Sequence, residues 1–274
     1  MALQRSLLFV PGSEPNRIDA ARDSVADVVV IDLEDTVSPE HKDRARDDAI
    51  QALADWDGAV GVRINGIDTN RGIADLEQLV ASEARPDFVA VPDVRGPGDV
   101  QIVADALSGT ESHILPLIER PSAVFHVYDI AHATPRIYGL LCAAIDFQMN
   151  MGMSVLGDSD ISLLRYLVSM GAKSAGVLAF DKPLLVVDDE AALQTEIERA
   201  QELGYDGKLA VNETQAERIN RGFLPSDAEL AEARRIIEAF ESSDDGLVDV
   251  GGTVVDRPVI EQLRARVALA ERVE

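Results

Sequence analysis

The sequence predicts an α/β fold closed into a barrel of eight strand–helix units, and three observations predict it. Short β-branched runs alternate with helix-like segments from end to end, the rhythm of repeated βαβ units. Eight such strands are read, each followed by a helix-like segment. The length, 274 residues, suits one (β/α)8 TIM barrel, which takes about 250 residues. No GxGxxG turn follows the first strand, so an open dinucleotide-binding sheet fits less well.

The elements follow in order. A strand at 6–11 precedes a helix at 14–24, and a strand at 28–33 precedes a helix at 42–54. The strand at 59–64 leads to a helix at 73–82, and further strands lie at 87–91, 113–118 and 137–144. A helix at 159–170, a strand at 175–179, a helix at 190–203, a strand at 208–211 and a segment at 214–222 complete the eighth unit. Ser226 then reads as the N-cap of a helix reaching about residue 240, with Glu229 at the capping-box position. A Gly- and Asp-rich stretch, 242–256, leads to a last helix at 258–271. The expected division is a catalytic barrel over 1–224 and a C-terminal helical arm over 225–274. That arm packs on the barrel or reaches a neighbouring subunit.

Composition narrows the function. No apolar run approaches the ~20 residues that cross a bilayer, and the apolar opening, 6–10, is too short for a signal-peptide core. A cytoplasmic protein without a membrane partner is expected. Cys142 is the only cysteine, which excludes an intrachain disulfide and a thiolate metal cluster. Its apolar setting makes it a buried, inert thiol. The formal net charge is −24, from 49 acidic and 25 basic residues. Such a surface repels nucleic acid and anionic membranes. Because the acidity is spread along the chain, a halophilic adaptation is expected, with counterions screening the self-repulsion.

In a barrel of this kind the strand C-termini and the loops after them form the active face. Those ends are polar: Pro11-Gly12-Ser13, Asp32-Leu33-Glu34-Asp35, Arg63-Ile64-Asn65, Pro92-Asp93, Glu119-Arg120, Asp146, Asp181-Lys182 and Asn212-Glu213. Carboxylates converging on one mouth repel, and a divalent cation relieves that repulsion. Oxygen-only donors favour magnesium, manganese or calcium over zinc. Glu119 and Asp146, each after a strongly apolar strand, form the best ligand pair; the alternative is a pair of surface charges. Arg63 is placed to grip a carboxylate or to stabilise an enolate oxygen. Its alternative is a structural salt bridge to the cluster of Asp32 with Glu34 and Asp35, two carboxylates that join Arg63 as catalytic candidates. His41, His126 and His132 fall in helical or loop segments, and His113 opens a strand at the wrong end. No Ser-His-Asp or Cys-His arrangement is present, which argues against nucleophilic hydrolysis.

With these residues in view, the chain resembles the HpcH/HpaI aldolase and citrate lyase β-subunit family, which includes malyl-CoA, methylmalyl-CoA and citramalyl-CoA lyases. The matching stretches run in order along the chain. They are the run from Arg5 to Gly12, Asp32-Leu33-Glu34-Asp35-Thr36-Val37, Lys42 with Ala45-Arg46, and Val62-Arg63-Ile64-Asn65. Then come Pro116-Leu117-Ile118-Glu119, Ala144-Ile145-Asp146-Phe147, Gly207-Lys208 and Val255-Asp256-Arg257-Pro258. The resemblance implies Mg2+, or Mn2+ in its place, held by Glu119 and Asp146, with Arg63 stabilising a thioester enolate. It implies that Asp256 is an acid/base group supplied by the C-terminal arm to a neighbouring subunit's site, in a homotrimer or dimer of trimers.

The chain departs from the family's usual Pro-Lys at Pro92-Asp93. It departs again before Asp146, where Ile145 stands in place of Glu or Asn, and at Val211-Asn212-Glu213, where Ile-His-Pro is common. The acyl group and the docking of CoA are therefore open. The expected reaction is a retro-Claisen cleavage of a 3-hydroxyacyl-CoA such as malyl-CoA to a keto acid and an acyl-CoA. Arg17, Arg22, the amides near Gly12 and Ser13 at a helix N-terminus, and Asn65 are candidates for holding the thioester. Arg17 and Arg22 read equally as solvated helix charges. A malyl-CoA thioesterase using the same residues is the alternative. A CoA-independent 2-keto-4-hydroxy acid aldolase and a non-catalytic subunit rank lower.

Overall fold

Alternating apolar residues pair the strands in parallel around a closed ring in the computed structural model, which describes residues 3–82, 85–155, 159–243 and 246–272. The strands are β1 (Ser6–Pro11), β2 (Val28–Asp32), β3 (Val60–Arg63), β4 (Phe88–Val91), β5 (His113–Ile118), β6 (Gly139–Cys142), β7 (Leu178–Asp181) and β8 (Gly207–Ala210). Each pairs with the next, and Ser6 and Leu8 of β1 sit opposite Lys208 and Ala210 of β8, closing the barrel. All five residues of β2 are buried, as expected for a parallel strand covered on both faces. Inside, Leu7, Val30, Phe88, Leu115, Leu141 and Phe180 belong to one apolar cluster. Each such side chain contributes roughly 1.5–3 kcal/mol by leaving water.

The helices between the strands are α1 (Pro15–Ala21), α2 (Lys42–Leu53), α3 (Asn70–Ala81), α4 (Pro97–Ala106), α5 (Pro121–Phe125), α6 (Val127–Ala131), α7 (Ala144–Asn150), α8 (Ser162–Ala175) and α9 (Glu190–Glu202), and α10 (Glu213–Gly222) follows β8. Caps set several of their starts. Thr69 Oγ1 accepts from Gly72 N at 3.0 Å and Asp189 Oδ1 from Ala192 N at 2.9 Å, each satisfying an amide that the first helical turn leaves unpaired.

Three expectations need correction. The strand expected at 175–179 lies at Leu178–Asp181, because the helix before it runs on to Ala175 and Gly176 closes it with φ 69°; a left-handed glycine is a common helix stop. The strand expected at 137–144 ends at Cys142, and Ala144 already opens α7. Asp146 therefore sits in the first turn of a helix rather than on a strand end. The helix expected from 159 begins at Ser162, and residues 156–158 lie outside the described residues.

The chain divides into two compact units, residues 4–220 and the residues from Arg221 onward with the first three. The second unit carries α11 (Asp227–Glu241), β9 (Leu247–Val250), β10 (Thr253–Asp256) and α12 (Arg257–Glu271). The capping box at Ser226 and Glu229 forms as read. The stretch read as a Gly- and Asp-rich connection is an antiparallel hairpin. Its turn is Gly251-Gly252, with φ 65° and 88°, a pair of positive values that two-residue hairpin turns require. Arg264 and Arg266 of α12 pair with Glu241 and Glu229 of α11, each at 2.7 Å. Among the described residues, no helix is long and apolar enough to cross a membrane.

Candidate active site

The C-terminal ends of β1, β2 and β3 are fastened together first. Gly12 N donates to Asp32 O at 2.8 Å, and a Cβ at Gly12 would meet Leu33 Cδ2 at 2.8 Å and Asp32 O at 2.9 Å. Only glycine permits that approach. The Gly12 amide is thus a rung beside β2 and is not free to hold a phosphate. Asp32 is fully buried at the end of β2, directly opposite Arg63 in the strand register. Its carboxylate accepts Arg63 Nε at 2.6 Å, Arg63 Nη2 at 2.7 Å and Thr36 Oγ1 at 2.6 Å. Burial alone would raise its pKa, but the Arg63 hydrogen bonds and charge, with those of Thr36 and the Glu34 amide, hold it below the ordinary carboxylate value.

Arg63 therefore stands in the salt bridge that was one of its two readings. The pairing orients it and leaves Nη1 toward Glu34 at 2.9 Å and Asp35 at 3.3 Å, while the guanidinium lies 5.3 Å above the Phe9 ring. Burial opposes its charge, yet the hydrogen bonds and charges of Asp32, Glu34 and Asp35 raise its pKa further. Burial pushes the Glu34 carboxyl up to about 8; Arg63 lowers it, while Asp35 and Asp32 add to the rise. Lys42 Nζ staples the same loop by donating to Leu33 O at 3.0 Å and Glu34 O at 2.8 Å. Asn65 is buried, and its Nδ2 donates to Leu33 O at 3.1 Å and Asp75 Oδ2 at 2.6 Å. The side-chain amide thus joins the loops after β2 and β3, and its donors do not face a ligand.

Across the mouth the carboxylates lack such partners. Glu119 follows β5 and is only 4% exposed. Its pKa is pushed up to about 8 by burial, against the Asp93 amide N–H that donates to Oε1 and with the charges of Asp146, Asp93 and Glu34. Asp146, half-buried in the first turn of α7, is also raised, first by burial and then by the charge of Asp35, with Arg63 acting the other way. The last residue of α7, Asn150, donates Nδ2 to Glu119 O at 3.2 Å, so one short helix carries Asp146 and grips the backbone of Glu119. Arg63, Asp146, Asp35, Phe9 and Met149 line one cavity of about 510 Å³. Glu34, Asp35, Lys42, Asn65 and Asp93 line another of about 600 Å³.

A divalent cation fits this chemistry. The donors are all oxygen, the buried Glu119 carboxylate has no cation in contact among the described residues, and its acidic neighbours repel it. Among the described residues no group of three His, Cys, Asp or Glu side chains is assembled to hold a metal. Two carboxylates completed by water and substrate oxygens suit magnesium.

The remaining candidates separate. Arg17 lines the first cavity, half exposed and 3.5 Å from Glu14. Ser13 lies in the turn after β1. Arg22 donates to Ala52 O and Asp55 O, both at 2.8 Å, and lies over Trp56 at 4.9 Å; it closes the end of α2 and is not a phosphate ligand. In the second unit Asp256 is the N-cap of α12, accepting from Val259 N at 3.3 Å. Cys142 is fully buried at the end of β6, and burial pushes its thiol up to about 12.

Sequence reasoning missed the Asn150 tie and the conformation of Asp93. It also missed a buried ion network behind β7 and β8, in which Asp181 accepts from Lys208 and Arg165. The visible signal for that network was a lysine inside an apolar strand.

The model of the HpcH/HpaI aldolase/citrate lyase family matches residues 5–213. The chain belongs to that family. It is 32% identical over 302 residues to the L-malyl-CoA/beta-methylmalyl-CoA lyase of Rhodobacter capsulatus, covering 98% of this chain and 95% of that one. It is 30% identical over 280 residues to the citrate lyase subunit beta of Leuconostoc mesenteroides subsp. cremoris, covering 96% and 91%. Among solved structures, the Mycobacterium tuberculosis protein CitE in complex with magnesium, acetoacetate and coenzyme A superposes with a TM-score of 0.84 at 27% identity, covering 98% of this chain and 99% of that one. For this member of the HpcH/HpaI aldolase/citrate lyase family, the barrel expected from strand rhythm is the fold observed.

Proposed function

We propose that the protein is a Mg2+-dependent carbon–carbon lyase that cleaves a 3-hydroxyacyl-CoA such as malyl-CoA to a keto acid and an acyl-CoA. The observation that carries this reading is the pairing of an oriented guanidinium with under-neutralised carboxylates: Arg63, fixed by Asp32, lines the same cavity as Asp146. The relatives named as malyl-CoA lyase and citrate lyase subunit beta support the lyase class. The CitE complex supports magnesium.

Glu119 and Asp146 would hold the ion, which when bound polarises the hydroxyl and carboxylate oxygens of the substrate. Glu34, held near 8 by burial, takes the proton of the 3-hydroxyl, since a group with a pKa near the working pH transfers protons best. The C2–C3 bond then breaks, its electron pair enters the thioester as an enolate, and the hydroxyl carbon becomes the carbonyl of the keto acid. Arg63 Nη1 faces the developing enolate oxygen as a fixed donor. Asp256, contributed by a second copy in a homotrimer or dimer of trimers, returns a proton to C2. Arg17 and the backbone at Ser13 receive the CoA moiety.

The test is incubation of the purified protein with malyl-CoA and Mg2+, following glyoxylate, malate and free CoA separately. Glyoxylate with acetyl-CoA is the expected result. Malate with free CoA and no glyoxylate would replace the lyase by a thioesterase built on the same residues.

A further inference from the structure

Asp93 follows β4 by one residue beyond Pro92 and is the only described non-glycine residue with positive φ, at +57°. A non-glycine residue stays in that region only where its surroundings hold it there. Two contacts do so. The Asp93 amide N–H donates to Glu119 Oε1, and the Asp93 carboxylate Oδ1 forms an ion pair with Arg120 Nη2 at 2.6 Å. Since Arg120 is the residue next to Glu119, the same short segment receives the amide and clamps the side chain. On the other side, Asn150 fixes the Glu119 carbonyl. Among the described residues, Glu119 Oε2 accepts no hydrogen bond. One oxygen of this carboxylate is therefore tethered, the backbone beneath it is pinned, and the second oxygen has no hydrogen-bond partner among the described residues.

We propose that Asp93 is a positioning residue for Glu119: its left-handed backbone, held by the Arg120 pair, aims the amide at Oε1 and leaves Oε2 as the oxygen given to the divalent cation. This rests on the reading of Glu119 as a metal ligand. It assigns the Asp93 carboxylate to Arg120 and not to the metal, so the side chain matters for the backbone it stabilises. A carboxylate with one oxygen hydrogen-bonded has its orientation fixed before the metal arrives, and partners of this kind typically account for about 10–100-fold in metal affinity.

The experiment is calorimetric titration of the full chain with Mg2+ for the wild type and for D93G, D93N, D93V and E119A, with circular dichroism as a check on folding. Glycine and asparagine accept positive φ and keep the amide, whereas a β-branched residue is a genuine outlier there. D93G and D93N should bind Mg2+ as the wild type does, and D93V should bind about tenfold or more weakly. Rescue by D93G, which lacks the side chain altogether, separates an aimed amide from a carboxylate ligand. D93V binding like the wild type would overturn the proposal, as would D93G and D93N losing as much as D93V. If D93V does not fold, D93A takes its place in the contrast with D93G. Failure of the underlying reading looks different: either the wild type binds no Mg2+, or E119A binds it unchanged, and the proposal then falls with that reading.

Discussion

Asp181 and Glu119 are both buried carboxylates at C-terminal strand ends of one barrel, yet they titrate in opposite directions. Asp181, fully buried, accepts Lys208 Nζ at 2.8 Å and Arg165 Nε and Nη2 at 3.0 and 2.8 Å. Burial raises its pKa, but Lys208 and Arg165 overcome that and leave it lowered. Glu119, almost as deeply buried, has a single backbone amide and three acidic neighbours, and is pushed up to about 8. What differs is the supply of cations. Behind β7 and β8 the chain provides its own counter-charges, which makes that cluster structural. Among the described residues Glu119 has no such cation in contact, and a carboxylate perturbed in this way is a candidate for binding one from outside.

The largest expected effect comes from making the first region resemble the second. Lys208→Met removes one of the two cations that contact Asp181 at 2.8 Å and leaves a buried charge under-compensated. Breaking a buried pair in this way costs about 3–5 kcal/mol. Guanidinium denaturation of the variant should show a loss of that order, and a loss within error of zero would mean that Arg165 alone neutralises Asp181. The K208M/D181N double variant should recover part of the loss, because the stranded charge is gone.

Next is Arg63, the one cation that serves both roles. Asp32 neutralises it as Lys208 neutralises Asp181, but Nη1 reaches beyond that pair to Glu34, and the residue lines the cavity that holds Asp146. Arg63→Lys should lower kcat by about 10²–10³, the usual effect of losing one donor to a developing oxyanion. Lysine keeps the charge and loses the fork that both grips Asp32 and points inward. Turnover of malyl-CoA with wild-type kcat would assign Arg63 to the salt bridge alone.

The opposite pKa directions also predict opposite slopes of stability against pH. Glu119 in the folded protein holds its proton up to about 8, above its unfolded value, so the folded state binds more protons in between. The metal-free protein should therefore lose stability from this group as pH rises through that window, with no further loss above it. Asp181, lowered, gains stability as pH rises and loses it as pH falls through its folded pKa. Thermal melts of the wild type and Glu119→Gln across pH 5–9 should converge at the acid end and favour the variant at the alkaline end. Mg2+ should raise the wild-type melting temperature more at pH 9 than at pH 6, where protons compete for the carboxylates. Equal metal shifts at both pH values would remove Glu119 from the ligand set.

Much of this contrast was legible in residue order, and the remainder shows what periodicity does not carry. The bounds of β1 and β5 coincide with the apolar runs that predicted them, because a barrel strand, with helices outside and packed side chains inside, is apolar on both faces. Strand seven was read three residues early because Ala175-Gly176-Val177 has the composition of a strand start, whereas Gly176 acts as a helix stop. The hairpin at Gly251-Gly252 was passed over because acidic and glycine residues around it mask the short strands. At the site, Glu119, Asp146 and Arg63 are singled out by the sequence from the apolar runs before them, although Asp146 lies in the first turn of α7 and not on a strand end. Which carboxylates are neutralised is not decided there, since that depends on register between strands (Asp32 opposite Arg63) and on backbone sign (Asp93). Neither has a signature in a single sequence.

The smallest effect tests whether the two ligand positions are mechanically one. Asn150 donates to the Glu119 carbonyl at 3.2 Å from the last position of the helix whose first turn holds Asp146. Asn150→Ala removes one hydrogen bond, worth ~1 kcal/mol, or about fivefold in an equilibrium constant. If the tie sets the span between the two carboxylates, the whole of that loss should appear in Mg2+ affinity, with thermal stability of the metal-free protein nearly unchanged. If the loss appears instead as a lower melting temperature with unaltered metal affinity, Asn150 fastens α7 to the barrel and the two carboxylates are positioned independently. Unlike Lys208, whose removal strands a charge, the loss of Asn150 leaves behind only an uncharged carbonyl. The gap between the two variants therefore measures how much of this rim is held by geometry and how much by charge.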